Sequence, residues 1–174
     1  LLGTEPAATD RTTALQSAFD ALRARTDSIP TDERPRTLVL VGDDTLYSFG
    51  KGSYVHTLVD LAGGRSITAD LENQAPTLSD EYVLQQKPAV IVGLWGTDYD
   101  TSRLLDLHPT WDVVPALRND RVISLPTSLL ARPGPRVPEG TQVMARHLHP
   151  ERFKGTRDTL RSTRSPSSTT PSAP

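Results

Sequence analysis

Apolar residues at Ala14, Leu15, Ala18, Phe19, Leu22 and Ile29 fall at helical spacing, so the stretch from Ala8 to Ile29 predicts one long amphipathic helix. Thr9 and Asp10 offer caps, and "DSIPTDERP" stops it. The pattern then changes period. In "RTLVLVG" the run from Leu38 to Val41 is apolar without alternation, as a strand covered on both faces requires, and the loop "DDTLYSFGKGS" follows it. "YVHTLVDLAGG" places Val55, Leu58, Val59 and Ala62 on one helical face and ends at Gly63 and Gly64, which supply a left-handed stop.

The strand–loop–helix theme recurs. In "TLSDEYVLQQKPAVIVGLWG", Ser79 caps a short helix, Pro88 closes it, and "AVIVGLW" forms a second buried strand. "HPTWDVVPALRNDRVISLP" gives another short helix, a polar turn at Asn119 and Asp120, and a third strand from Val122 to Leu125. A last helix runs from Val137 to His149. Strands separated by helical patterns predict an α/β sandwich around a mostly parallel sheet with flanking helices. Trp111 is expected in its core.

Composition narrows the picture. With 174 residues the chain holds one domain with a real core, and a formal net charge of −2 gives no global field to recruit nucleic acid. The absence of cysteine excludes thiol catalysis, disulfides and thiolate metal sites. No stretch approaches the roughly 20 apolar residues of a membrane span, and "LLGTEPAATD" lacks the basic and apolar regions of a signal peptide. Leu1 is read as a cut or processed end. From residue 154 to residue 174 the chain is rich in Ser, Thr and Pro and is expected to be disordered.

Familiar catalytic motifs fail. "GKGS" at Gly50 to Ser53 is no phosphate loop, because Thr45 stands where its first glycine would fall and Gly52 follows Lys51. As a dinucleotide fingerprint it lacks the third glycine, where Val55 stands. No G-x-S-x-G elbow appears. His56, His108, His147 and His149 read as surface or cap residues, and Asp43 with Asp44 as solvated loop residues. No metal site or bound cofactor is expected, and the chain reads as a non-enzyme.

The order of the pieces resembles the C-terminal lobe of the substrate-binding proteins of ABC importers, the group handling ferric siderophores, haem and cobalamin. The segment from Ala8 to Ile29 is similar to the helix joining that family's two lobes, and "RTLVLVG" to the first strand of its second lobe. "YVHTLVDLAGG", "LSDEYVLQQKPAVIV" and "WDVVPALRNDRVISLP" resemble successive family stretches, although Leu117 departs from the last pattern. "RPGPRV" followed by "HLHPERF" resembles the family's loop and last helix.

The resemblance implies an interlobe helix and connection over 1–34 and a three-layer ligand-binding lobe over 35–153. The family's N-terminal lobe has no counterpart in the sequence, so half of a clamp is expected, with that missing lobe and a membrane permease as partners. An extracytoplasmic location follows from the resemblance alone. A small-molecule metal chelate would lie outside the carboxyl ends of the strands, which makes Tyr47, Phe49, Lys51 and Trp95 candidate contacts. Tyr99 stands behind Trp95. In the corner "RPGPRVP", Pro133, Pro135 and Pro138 stiffen the loop, Gly134 admits close backbone approach, and Arg132 or Arg136 can fork onto a carboxylate or ferric chelate. Glu81 resembles the glutamate with which each family lobe docks on permease arginines, although a helix-start carboxylate also suits the helix dipole. The alternatives are a flavodoxin-like α/β enzyme or nucleotide-binding domain, and a solitary interaction module.

Overall fold

The computed structural model describes residues 5–154, with residues 5–12 as backbone alone. Leu1 and residues 155–174 of the expected tail lie outside the described residues. Helix α1 spans Glu5–Thr26, β1 Arg36–Leu40, α2 Tyr54–Leu61, β2 Arg65–Ser66, α3 Asp80–Gln86 and β3 Val90–Gly93. Then come α4 (Arg103–Leu107), a 3-10 turn (Pro109–Val113), α5 (Pro115–Arg118), β4 (Val122–Ser124), α6 (Thr127–Leu130), α7 (Val137–Leu148) and a closing 3-10 turn (Pro150–Phe153). The long first helix thus ends a turn earlier than its apolar spacing predicts, because Ile29 packs from the following turn, where its N–H donates to Thr26 O at 3.0 Å.

The sheet is parallel throughout, in the order β2-β1-β3-β4. In the central pair Leu38 stands beside Ile91 and Val39 beside Val92. Side chains alternate across a strand, and this alternation builds two cores. Leu38, Leu40 and Ile91 point to one side, where Val83, Leu104, Trp111 and Ala116 cover them. Val39, Val90 and Val92 point to the other, against Leu22, Leu58, Val59, Leu129 and Met144. Both faces are covered, which explains the unbroken apolar runs in β1 and β3. The architecture is the expected three-layer α/β sandwich, and Trp111 is fully buried in it.

Local signals behave as the chemistry demands. Ser79 caps α3, its Oγ accepting the Tyr82 N–H at 3.3 Å, and Gly63 ends α2 with φ at +80°. Pro138 stands in the first turn of α7. Three short elements escape the pattern: β2 is two polar residues at a sheet edge, and α4 and α6 are single turns. Each is too short to print a period. Among the described residues no helix is long and apolar enough to cross a membrane.

Candidate functional site

The chain leaves β1 toward β2 on one side and reaches β3 on the other, so the strand order reverses between β1 and β3. At such a switch point the loops beyond the strand ends part, and open α/β sheets bind ligands in that crevice. Here a depression of about 730 Å³ opens at that place, lined among others by Val41, Asp43, Trp95, Tyr99, Arg103 and Thr127. The lining comes from the carboxyl ends of β1, β3 and β4.

One carboxylate organises the wall. Arg103 Nε donates to Asp43 Oδ2 at 2.8 Å and the Tyr99 hydroxyl donates to the same oxygen at 3.0 Å. Burial opposes the Asp43 charge, but the two hydrogen bonds and the guanidinium outweigh it and hold the carboxyl below its usual range. The Tyr99 phenol is driven strongly upward, first by burial and then by its bond to Asp43, so it is a fixed donor. Its ring packs on Trp95, with centroids 4.3 Å apart and planes inclined by 37°. Trp95 in turn lies on Gly93, where a Cβ would sit 2.1 Å from indole Cε3. Gly93 is therefore required by the indole. The Trp95 Nε1 donor is buried and has no hydrogen-bond acceptor among the described residues.

Beneath this wall, His108 links it to the start of α3. His108 Nε2 meets the Asp43 carbonyl at 2.7 Å, and Nδ1 meets Asp80 Oδ1 at 2.8 Å. Trp111 stacks on the imidazole at 4.4 Å and donates Nε1–H to Asp80 Oδ1 at 3.1 Å. Of the expected surface or cap histidines, His108 and His149 are caps and not surface residues, each only 6% exposed. Both close helices as predicted, but their ring nitrogens find buried partners, His149 at Gly63 O, 2.9 Å away. Asp43 is likewise no merely solvated loop residue. Among the described residues no group of three or more His, Asp or Glu could hold a metal ion.

Of the residues singled out from sequence, Trp95 lines the depression. Tyr47 and Phe49 stand on the loop after β1, which doubles back and bridges to Thr77; Tyr47 is 50% exposed and Phe49 packs against the core. Lys51 is tied to Glu72 at 2.6 Å and Arg136 to Glu139 at 3.2 Å. Arg132 and Arg136 are exposed and line no part of the depression. Within the chain a Cβ at Gly134 would meet nothing nearer than Arg132 O at 3.9 Å, so no contact among the described residues requires a glycine there. Glu81 is exposed at the start of α3, its carboxyl lowered by a backbone hydrogen bond and by Ser79. Arg103 is the residue that sequence reading missed. Its signal was "DTSRLLDL", a polar cluster running into paired leucines at the start of a short helix.

A family model described as periplasmic binding protein matches residues 1–129. A Bacillus subtilis protein described as an uncharacterised ABC transporter substrate-binding lipoprotein is 24% identical over 87% of this chain and 48% of its own length. A cobalamin-binding protein of Halobacterium salinarum is 31% identical over 75% of this chain and 37% of its own. The chain thus spans half or less of the length of these relatives. Among solved structures, Helicobacter pylori CeuE with Ni(II) bound shares the fold with a TM-score of 0.72 at 20% identity, over 86% of this chain and 48% of the other.

Proposed function

The chain belongs to the periplasmic binding protein family, and from that premise we propose that it is a non-enzymatic solute-binding lobe of an importer, taking a ferric siderophore, haem or cobalamin-like chelate at the carboxyl ends of its strands. Residues 35–153 form the ligand-binding lobe, and α1 with its connection joins it to a second lobe. The observation that carries this reading is the depression of about 730 Å³ at the β1/β3 switch point, with Trp95 on its wall. An indole and a phenol offer flat apolar contact to a macrocycle, while Arg103 offers a cation. Tyr47 and Phe49 extend the apolar surface from the neighbouring loop, while Lys51, Arg132 and Arg136 stand outside the depression and meet the ligand only at its solvent edge. Glu81 docks on arginines of the permease, and membership of a periplasmic binding protein family supports a location outside the cytoplasmic membrane.

The strand order by itself also suits a flavodoxin-like domain. Family membership favours the solute-binding reading, because the matching model and relatives are described as binding and transport proteins. One lobe supplies one wall, so the affinity of this chain alone is expected near the weak end of specific binding. Equilibrium dialysis against hydroxocobalamin, haemin and ferrioxamine B, each taken to about 1 mM, tests the reading. Saturable retention of one of them supports it. Saturation by none, together with a flavin or nucleotide retained on purification, contradicts it.

A further inference from the structure

We infer that the Asp43–Arg103 pair and the carboxylates beside it select the ligand by charge: the depression takes a neutral or cationic chelate whose amide or hydroxamate carbonyls accept from Arg103, and disfavours chelates that carry free carboxylates. This rests on the ligand-binding reading above and specifies the chemistry of its site. The charged groups lining the depression are Asp43, Asp98, Asp100 and Arg103, three carboxylates against one guanidinium and a formal balance of −2, with the Tyr99 phenol neutral. The one cation is already matched. Asp43 takes its Nε–H at 2.8 Å, and Asp44 adds its field from the adjoining loop position.

The remaining cations at this end do not restore the balance. Lys51 is paired with Glu72 and Arg136 with Glu139, and none of Lys51, Arg132 and Arg136 lines the depression. A carboxylate arriving from solvent would have to displace Asp43 or sit beside Asp98 and Asp100 without a counter-ion. Like charges repel even where both are exposed, as Asp98 and Asp100 are, and are least screened at low salt. A neutral carbonyl has no such need. Pairing through Nε leaves the terminal N–H groups of a guanidinium to donate outward, and the Arg103 side chain is 58% exposed. The Tyr99 hydroxyl, spent on Asp43, holds the pair in place from the other side.

The test presents each scaffold with and without one carboxylate: N-acetyl ferrioxamine B against its N-succinyl counterpart, and cyanocobalamin against its e-monocarboxylic acid. Titrations are run at low salt on the wild-type chain, on Asp98→Asn with Asp100→Asn, and on Arg103→Met. The double substitution removes charge only, since an amide oxygen can still accept the Ser102 N–H that Asp100 Oδ1 now accepts at 3.0 Å. For whichever scaffold saturates, the form without the carboxylate is expected to bind about five- to tenfold more tightly. The double substitution should narrow that gap to about twofold, and Arg103→Met should weaken both forms. Equal binding of the two forms, or a gap unchanged by the double substitution, overturns the charge selection while leaving the site standing. Saturation by haemin, which carries two propionate carboxylates, in place of both scaffolds likewise overturns the charge selection and leaves the site standing; if none of the three saturates, the ligand-binding reading falls and this inference with it.

Discussion

Arg103 Nε donates to Asp43 Oδ2 at 2.8 Å, joining the loop after β1 to the first turn of α4 across 60 residues of chain. Because the bond and the guanidinium hold the Asp43 carboxyl below its ordinary value of 3.8, the folded state keeps this carboxylate charged where the unfolded chain would protonate it. The stabilisation is present above that ordinary value and is lost as pH falls through the folded one. With Arg103 largely exposed, the effect is small. Urea midpoints measured from pH 6 to pH 2 should fall in acid, and Asp43→Asn should start lower by roughly 0.2–0.5 M and show a shallower fall. A variant curve parallel to the wild type would place the acid sensitivity elsewhere.

This pair also marks the limit of what the sequence discloses. The runs in β1 and β3 announce a doubly covered sheet because burial on both faces removes alternation, and Ser79 and Gly63 announce helix ends through local backbone chemistry. Contacts set by the fold leave no such trace. Nothing local to Asp43 says that Arg103 will reach it, and nothing in "LWGTDY" says that Gly93 must stay bare for the indole. Arg132 and Arg136 drew notice through a basic, proline-rich corner, yet neither lines the depression. Strand β2 is legible only in three dimensions, since two polar residues pair because β1 lies beside them.

The indole on Gly93 gives a packing prediction. A methyl at position 93 would occupy space 2.1 Å from Trp95 Cε3, so Gly93→Ala must expel the ring or shift the strand end. The expected cost is about 1–3 kcal/mol, with a changed Trp95 emission maximum. A variant with wild-type stability and emission would show that the ring is not held there.

The imidazole under the wall has a separate role. His108→Ala removes both links of the bridge between Asp43 O and Asp80 and uncovers the stacked face of Trp111. We expect a loss of about 2–4 kcal/mol in equilibrium unfolding. In a Trp95→Phe background the Trp111 emission should shift to the red. An unchanged unfolding curve would contradict a structural bridge.

At the start of α3, Glu81 is exposed and makes no contact with the depression. Charge reversal by Glu81→Lys is expected to leave solute binding unchanged and to reduce transport with the cognate permease by tenfold or more, about 1.4 kcal/mol of docking. Transport at the wild-type rate would end the docking assignment and leave the carboxylate to its helix-start role.

The central claim, that the switch-point depression binds the solute, is tested most directly by tryptophan fluorescence, since the chain has two tryptophans, Trp95 on the wall and Trp111 buried beneath it. The titrants are hydroxocobalamin, haemin and ferrioxamine B, corrected for absorbance and repeated on Trp95→Phe. Saturable quenching by one of them that disappears or weakens in Trp95→Phe is the predicted result. Saturable quenching of equal size in the variant, carried by Trp111 alone, would place the ligand elsewhere and contradict the account.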